Sequence, residues 1–245
     1  KIKLFLLWVF MKRVYCTSIL KQGSTYELEK KYYIHLVRVM RLKVGDQVSL
    51  FNNTSGEWRS EILDIKNNFL IAKTISQVSP PQAETSIDLM FSPIKYQNSE
   101  SVIRQSTEMG IRSIFPTIFK RTISTKINLS KFNTYAIGAA QQSERLSIPN
   151  IHDLNVLKNQ SKIISSKTIL MFDENLKGIH LSQAKIKSNS EILVVIGPEG
   201  GFEEEERAFI SKSSNNFLNV SLGSNILKAD TAVIAALSLT FHYFS

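Results

Sequence analysis

The most chemically informative stretch of the sequence is Glu191-Ile-Leu-Val-Val-Ile-Gly-Pro-Glu-Gly-Gly-Phe-Glu-Glu-Glu-Glu-Arg207, an apolar strand that runs into glycines and then acids. α/β proteins bind ligands where such a strand meets a helix, outside the carboxyl end of the sheet. The spacing Gly197-x-x-Gly200-Gly201 is neither the dinucleotide fingerprint nor a P-loop. Glu203–Glu206 are expected in the first helical turn, where they meet the helix dipole favourably and repel a phosphate. The loop therefore suits a neutral or cationic ligand approached by bare backbone. Glycines that merely supply positive φ to a tight turn account for the same spacing. A second loop follows, Val220-Ser-Leu-Gly-Ser-Asn-Ile-Leu-Lys-Ala-Asp-Thr-Ala232. Gly223 ends a strand there, and Asp230 or Thr231 can cap the last helix. Two such loops can converge on one pocket, with Leu222, Ile226 and Leu227 beside an adenine or ribose.

Positioning these loops requires a layered α/β unit. Ser86–Phe91, Ile111–Pro116, Thr168–Phe172, Ile192–Ile196 and Phe217–Leu222 read as strands. Between them, Ser99–Met109 (stopped by Gly110), Lys131–Glu144 and Ala232–Phe244 read as helices. Alternation of this kind indicates a mostly parallel sheet. Upstream, Val48–Gly56, Glu57–Ile65 and Phe69–Ile75 read as strands of a small barrel. Leu28, Tyr32, Leu36 and Val39 recur at helical spacing between Tyr26 and Arg41. Ser79-Pro80-Pro81-Gln82 punctuates the chain. The expected division is an extension over residues 1–10, a front domain over 11–80 and a larger domain over 81–245. Met11 is read as the natural start, and the apolar run before it lacks the small-residue cleavage site of a signal peptide.

Composition narrows the partners. The 245 residues carry 30 Lys+Arg against 21 Asp+Glu, a formal charge of +9. Residues 1–84 hold +6 of that excess, so the front domain is the expected holder of a phosphate backbone. A single cysteine excludes intrachain disulfides and Cys-based zinc clusters, and the four histidines lie far apart, so no metal is expected. No run of eighteen apolar residues points to a membrane. A cytoplasmic location follows as the expectation.

The motifs also resemble a known family. Gly197-Pro-Glu-Gly-Gly-Phe202, followed by Leu222-Gly-Ser-Asn-Ile-Leu-Lys-Ala-Asp-Thr-Ala232, is similar to the paired signature of the RsmE family of 16S rRNA uridine-N3 methyltransferases, among the knotted SPOUT methyltransferases. Gln105-Ser-Thr-Glu-Met-Gly110, Lys120-Arg121-Thr122, Ala140-Gln-Gln-Ser-Glu-Arg145 with Ile148-Pro149, and His35-Leu-Val-Arg-Val-Met-Arg41 with Gly45-Asp46 resemble its further blocks in order. Met11-Lys-Arg13 resembles its start, and Lys95 stands where the family carries a lysine. Departures are Lys228 for Arg, Asp230 for Glu, Gln105 for Lys and Met109 for Leu. Lys228 keeps a charge without the bidentate fork.

The resemblance implies a PUA-like, OB-related β-barrel, a trefoil-knotted α/β domain that binds S-adenosylmethionine, and a homodimer. The implied reaction is methylation of N3 of a uridine in 16S rRNA of the small ribosomal subunit. The implied cofactor residues are Gly197, Pro198, Glu199, Gly200, Gly201, Leu222, Gly223, Ile226 and Leu227, with Met171 and Phe172 as a further wall. Arg145, Arg121 and Arg41 are candidates for RNA and for the uracil anion, and Arg13 and Lys95 for phosphates. Glu199 (a tentative catalytic residue, with Arg145 and Arg121), Glu108 and Asp230 are open as general base; His35 is a weaker alternative. Two other readings stay open: a 2′-O-ribose methyltransferase of the same fold, and a non-catalytic RNA-binding ribosome assembly factor.

Overall fold

The computed structural model describes residues 12–94, 96–173, 178–187 and 189–244, with backbone alone at 96 and 97. Residues 1–10, Met11 and Lys95 lie outside them. The chain divides into two compact units. The first ends at Ala83 and takes in Ala140–Ile148; the second comprises Glu84–Ala139 and Pro149–Ser245.

In the first unit, β1 (Lys12–Tyr15), β2 (Thr25–Leu28), β3 (Gln47–Asn52), β4 (Gly56–Lys66) and β5 (Phe69–Ser79) form one sheet in the order β1-β3-β4-β5-β2. Val14, Leu28, Val48, Leu50, Ile62 and Leu70 bury its core face. Asn68, at φ 77, turns β4 into β5, a conformation that Asn tolerates. The helical reading of Tyr26–Arg41 needs correction. Tyr26–Leu28 belong to β2, paired antiparallel with β5. The helix starts at Lys30 (α1, Lys30–Tyr33) and widens into a π-helix over Ile34–Val39, where the Met40 N–H reaches back to the His35 carbonyl. The wider turn spoils the 3.6-residue period, so Leu36 is buried while Val39 is 66% exposed.

Arg13 holds this unit together. Its Nε and Nη2 each meet a Glu57 oxygen at 3.0 Å, and its Nη1 donates to the Ala140 carbonyl at 2.8 Å. Nη2 also reaches the carbonyls of Glu144 and Arg145. The guanidinium lies 4.1 Å over the Phe51 ring, and the Arg13 and Glu57 side chains are only 6% and 4% exposed. Ala140 lies in the last turn of the helix Leu129–Gln142, whose final carbonyls lack intrahelical donors, and Arg13 supplies one. The phosphate role expected for Arg13 is therefore corrected: its donors are committed to a carboxylate and to main-chain oxygens.

The second unit has a parallel sheet in the order β12-β10-β11-β6-β7-β8. Its strands are β6 (Ile87–Phe91), β7 (Ser113–Ile118), β8 (Asn150–Ile151), β10 (Thr168–Phe172), β11 (Ile192–Ile196) and β12 (Asn216–Asn219); β9 (Asn155–Val156) also pairs with β7. Its helices are α2 (Tyr96–Glu108), α3 (Leu129–Gln142, whose end belongs to the first unit), α4 (Ser161–Ser165), α5 (Glu204–Ser213) and α6 (Ala229–Phe244). Every residue of β6, β10 and β11 is buried, as expected of parallel strands covered on both faces. The strand read over Phe217–Leu222 is shorter and lies at the sheet edge, which leaves its side chains half-buried. Beyond it, the Val220 N–H donates to the Met171 carbonyl. On its other side, the Ser221 N–H donates to Ile179 and the Ile179 N–H to Asn219. The segment Asn219–Ser221 thus runs between the end of β10 and Ile179, which belongs to the connection that leaves β10.

At the amino end of this sheet Arg112 and Lys167 bind both Asp88 and Glu191, at 2.6–2.7 Å. The hydrogen bond from Arg112, then that from Lys167, holds the Glu191 carboxyl down to about 2 from its ordinary 4.5. A depressed carboxyl stabilises the fold above its unfolded pKa and ceases to do so as pH falls through the folded value. Glu191→Gln is therefore expected to melt below the native protein at pH 6, with the gap closing as pH falls from about 4.5 to 2. Melting curves across that range test this, and a gap that persists at pH 2 excludes it.

Candidate functional site

The carboxyl ends of β10 and β11 open into a cleft of about 520 Å³. From the first glycine loop it is lined by Gly197, Pro198, Glu199, Gly201 and Phe202. From the second it is lined by Ser221, Leu222, Gly223, Asn225, Ile226, Leu227 and Lys228. Phe172, Asp173 and Ile196 form the floor at the strand ends, and Asn98 of α2 and Ala232 of α6 close one side. The two loops thus meet at one cavity. Gly223 sits at φ +106, a region closed to most L-residues. A Cβ on Gly197 would lie 2.6 Å from the Phe202 ring. That ring is buried and packs edge-on against Phe119, with centroids 5.2 Å apart.

Two expected wall residues lie elsewhere. Met171 is fully buried in the core with Met90, Phe115 and Val195, because alternate residues of β10 face opposite sides of the sheet. Gly200 does not line the cleft; its carbonyl accepts from Arg121 Nη1 at 2.6 Å. The glutamate run is also off the cleft. Glu203 caps α5 and pairs with Arg121 at 2.7 Å. Buried Glu206 accepts from the N–H groups of Glu203 and Lys120 at 2.8 and 2.7 Å. These acids satisfy the helix N-terminus themselves, and the expectation that they screen the ligand site against phosphate is corrected. The acidic residues lining the cleft are Glu199, which is exposed, and Asp173, whose carboxylate is buried against Arg207 at 2.5 Å.

Among the candidate bases only Glu199 lines the cleft. Asp230 accepts from the Thr231 N–H at 2.9 Å. Glu108 ends α2, ten residues and about 15 Å along the helix from Asn98. Arg145 belongs to the first unit and donates from Nε to Ser147 at 2.8 Å. Arg41 is exposed at φ 59, and His35 is exposed on the π-helix. Sequence reasoning missed Asn98 and Asp173. The position of Asp173, one residue beyond a buried strand, was the available signal; Asn98 had none.

The cleft fits an adenosine-bearing cofactor: main-chain groups on two sides, aliphatic Leu222 and Leu227, and Ile226 left 81% exposed at the rim. A side chain this exposed contributes little to folding, yet gains contact when a ligand covers it. Ile226→Asp is expected to leave the melting temperature unchanged and to weaken S-adenosylmethionine binding about tenfold or more. Calorimetric titration decides this, and native affinity in the variant excludes Ile226 from the site.

Among the described residues, no helix is long and apolar enough to cross a membrane, and no group of His, Cys, Asp and Glu could hold a metal ion. Residues 81–240 match the model of an RNA methyltransferase domain, and residues 33–75 that of an RNA methyltransferase PUA domain. The ribosomal RNA small subunit methyltransferase E of Rickettsia conorii is 33% identical over 230 residues, 92% of this chain and 93% of that one. A Legionella pneumophila structure, described as a methyltransferase with the bound cofactor SAM, superposes at TM-score 0.84 with 27% identity, covering 95% and 98% of the chains. A ribosomal RNA small subunit methyltransferase E of Neisseria gonorrhoeae, bound to S-adenosyl methionine, shares the fold at TM-score 0.84 and 23% identity, covering 95% and 97%. With a cleft built from the two loops and family models spanning both parts of the sequence, this chain belongs to the RNA methyltransferase family that carries a PUA domain.

Proposed function

We propose that this protein methylates N3 of a uridine in 16S rRNA of the small ribosomal subunit, with S-adenosylmethionine as donor. The observation that carries the reading is the convergence of the Gly197–Phe202 and Ser221–Lys228 loops on one cleft of suitable size. The small-subunit methyltransferase relatives, similar over nearly the whole chain, support the substrate. The cofactor supplies an electrophilic methyl when bound. The chain's part is to hold the adenosine with main-chain groups, to admit an unpaired uracil at the mouth and to stabilise its N3 anion. In this reading Glu199, the candidate base that lines the cleft, takes the N3 proton, and Lys228, which lines the same cleft, supplies a cation.

RNA is held, in this reading, by the front unit. Lys30–Gly45 carries five cations and no carboxylate, with Arg38, Arg41 and Lys43 exposed beside exposed Ile34, Val39 and Val44. Arg41→Ala is expected to weaken RNA binding and to lower its salt slope by about 1. Equal binding at several salt concentrations rules Arg41 out. The family resemblance further supports a homodimer, a cytoplasmic location and a trefoil knot. The course of Asn219–Ser221 between Met171 and Ile179 favours the knot.

Incubation with S-adenosylmethionine and small subunits, followed by nucleoside mass spectrometry, is the test. 3-Methyluridine in 16S rRNA supports the reading. A ribose methyl favours 2′-O transfer, and RNA binding without cofactor binding favours an assembly factor.

A further inference from the structure

We propose that Arg121 is a positioning residue of the cofactor loop, acting through Gly200 and Glu203 and not on RNA or the uracil anion. The inference rests on the methyltransferase reading given above. Three consecutive residues at the exit of β7 mate with the loop and the helix after it. The Phe119 ring packs edge-on against Phe202, which lines the cleft. The Lys120 N–H is accepted by buried Glu206 at 2.7 Å. Arg121 Nε binds Glu203 at 2.7 Å, and its Nη1 binds the Gly200 carbonyl at 2.6 Å.

These two contacts are short and charge-assisted, and they fix the guanidinium plane against both ends of Gly200–Glu203. The stem of Arg121 also lies over Gly200, where a Cβ would stand 3.2 Å from Cδ and 3.3 Å from Cβ of the arginine. Gly200 is therefore bare to let Arg121 cross it, which accounts for a glycine of the motif that does not line the cleft. Gly201, the next residue, does line it and sits at φ 75. Loosening Arg121 frees the peptide on which that turn depends.

The test is titration of S-adenosylmethionine into RNA-free protein. Arg121→Ala is expected to raise Kd about ten- to thirtyfold. Arg121→Lys is expected to rescue little, because an ammonium cannot span the carboxylate and the carbonyl together. Glu203→Gln should raise Kd in the same sense, and the double variant should be no weaker than the worse single one. Thermal melting checks that each variant is folded. In turnover, KM for the cofactor should rise while kcat at saturating cofactor and the pH profile stay near native. Unchanged cofactor affinity in both single variants overturns the proposal, as does a loss confined to kcat with a displaced pH limb. Additive losses in the double variant overturn it too. If the native protein binds no S-adenosylmethionine, the methyltransferase reading falls and this proposal with it.

Discussion

Gly197→Val is expected to bind S-adenosylmethionine about a hundredfold more weakly than the native protein, in calorimetric titration of a folded sample. Gly197 follows β11 directly and lines the cleft. A Cβ there would sit 2.6, 2.8 and 2.9 Å from three carbons of the Phe202 ring. That ring cannot yield freely: it is buried, belongs to the sheet core and is wedged against Phe119. The added carbon must therefore push Phe202 or its own backbone into the cavity. Overpacking of this kind costs about 1–3 kcal/mol, and the branch of valine also occupies ligand space. Gly197→Ala should fall between the two. A folded Gly197→Val protein of native affinity would falsify the placement of the cofactor.

The second large effect concerns stability. Glu57→Ala is expected to destabilise the first unit by about 3–5 kcal/mol, because it leaves the Arg13 guanidinium buried without its carboxylate. Ser49 also donates its hydroxyl to Glu57 and loses that acceptor. Replacing both members, as Arg13→Met with Glu57→Leu, should recover most of the loss, since an apolar pair bears no desolvation cost. Trp58, next in sequence and half-buried, offers a fluorescence signal for denaturant titrations. A loss under about 1 kcal/mol in Glu57→Ala would show that solvent reaches the pair.

Legibility from sequence followed the physical source of each feature. Thr168–Phe172 and Ile192–Ile196 match their predicted spans because continuous apolar runs bounded by polar residues have one comfortable setting, the middle of a covered parallel sheet. The two glycine loops were legible because chain punctuation is local. Tyr26–Arg41 misled because a π-helix keeps helical composition while changing the period. Met171 and Gly200 belonged to the right segments, but which way a residue faces at a strand end or within a turn depends on partners distant in sequence. For Gly200 that partner is Arg121, 79 residues away. The glutamate run is expected to meet the helix dipole and to turn phosphate away from the ligand, whereas Glu203 and Glu206 lie off the cleft and are engaged by the cap, by Arg121 and by the Lys120 N–H. Arg13 shows the same limit: no local pattern announces a partner at Glu57 or at Ala140.

The return of Ala140–Ile148 to the front unit has an evolutionary consequence. Phe51 packs with Ala140 and Leu146, and Arg13 is fastened to the carbonyls of the same returning stretch. A gene fragment ending at Ala83 would encode every described strand of the front sheet yet omit the stretch that Phe51 and Arg13 pack against. The front unit is thus not a transferable cassette, and recombination could exchange it only by bringing along a splice from deep inside the neighbouring coding region.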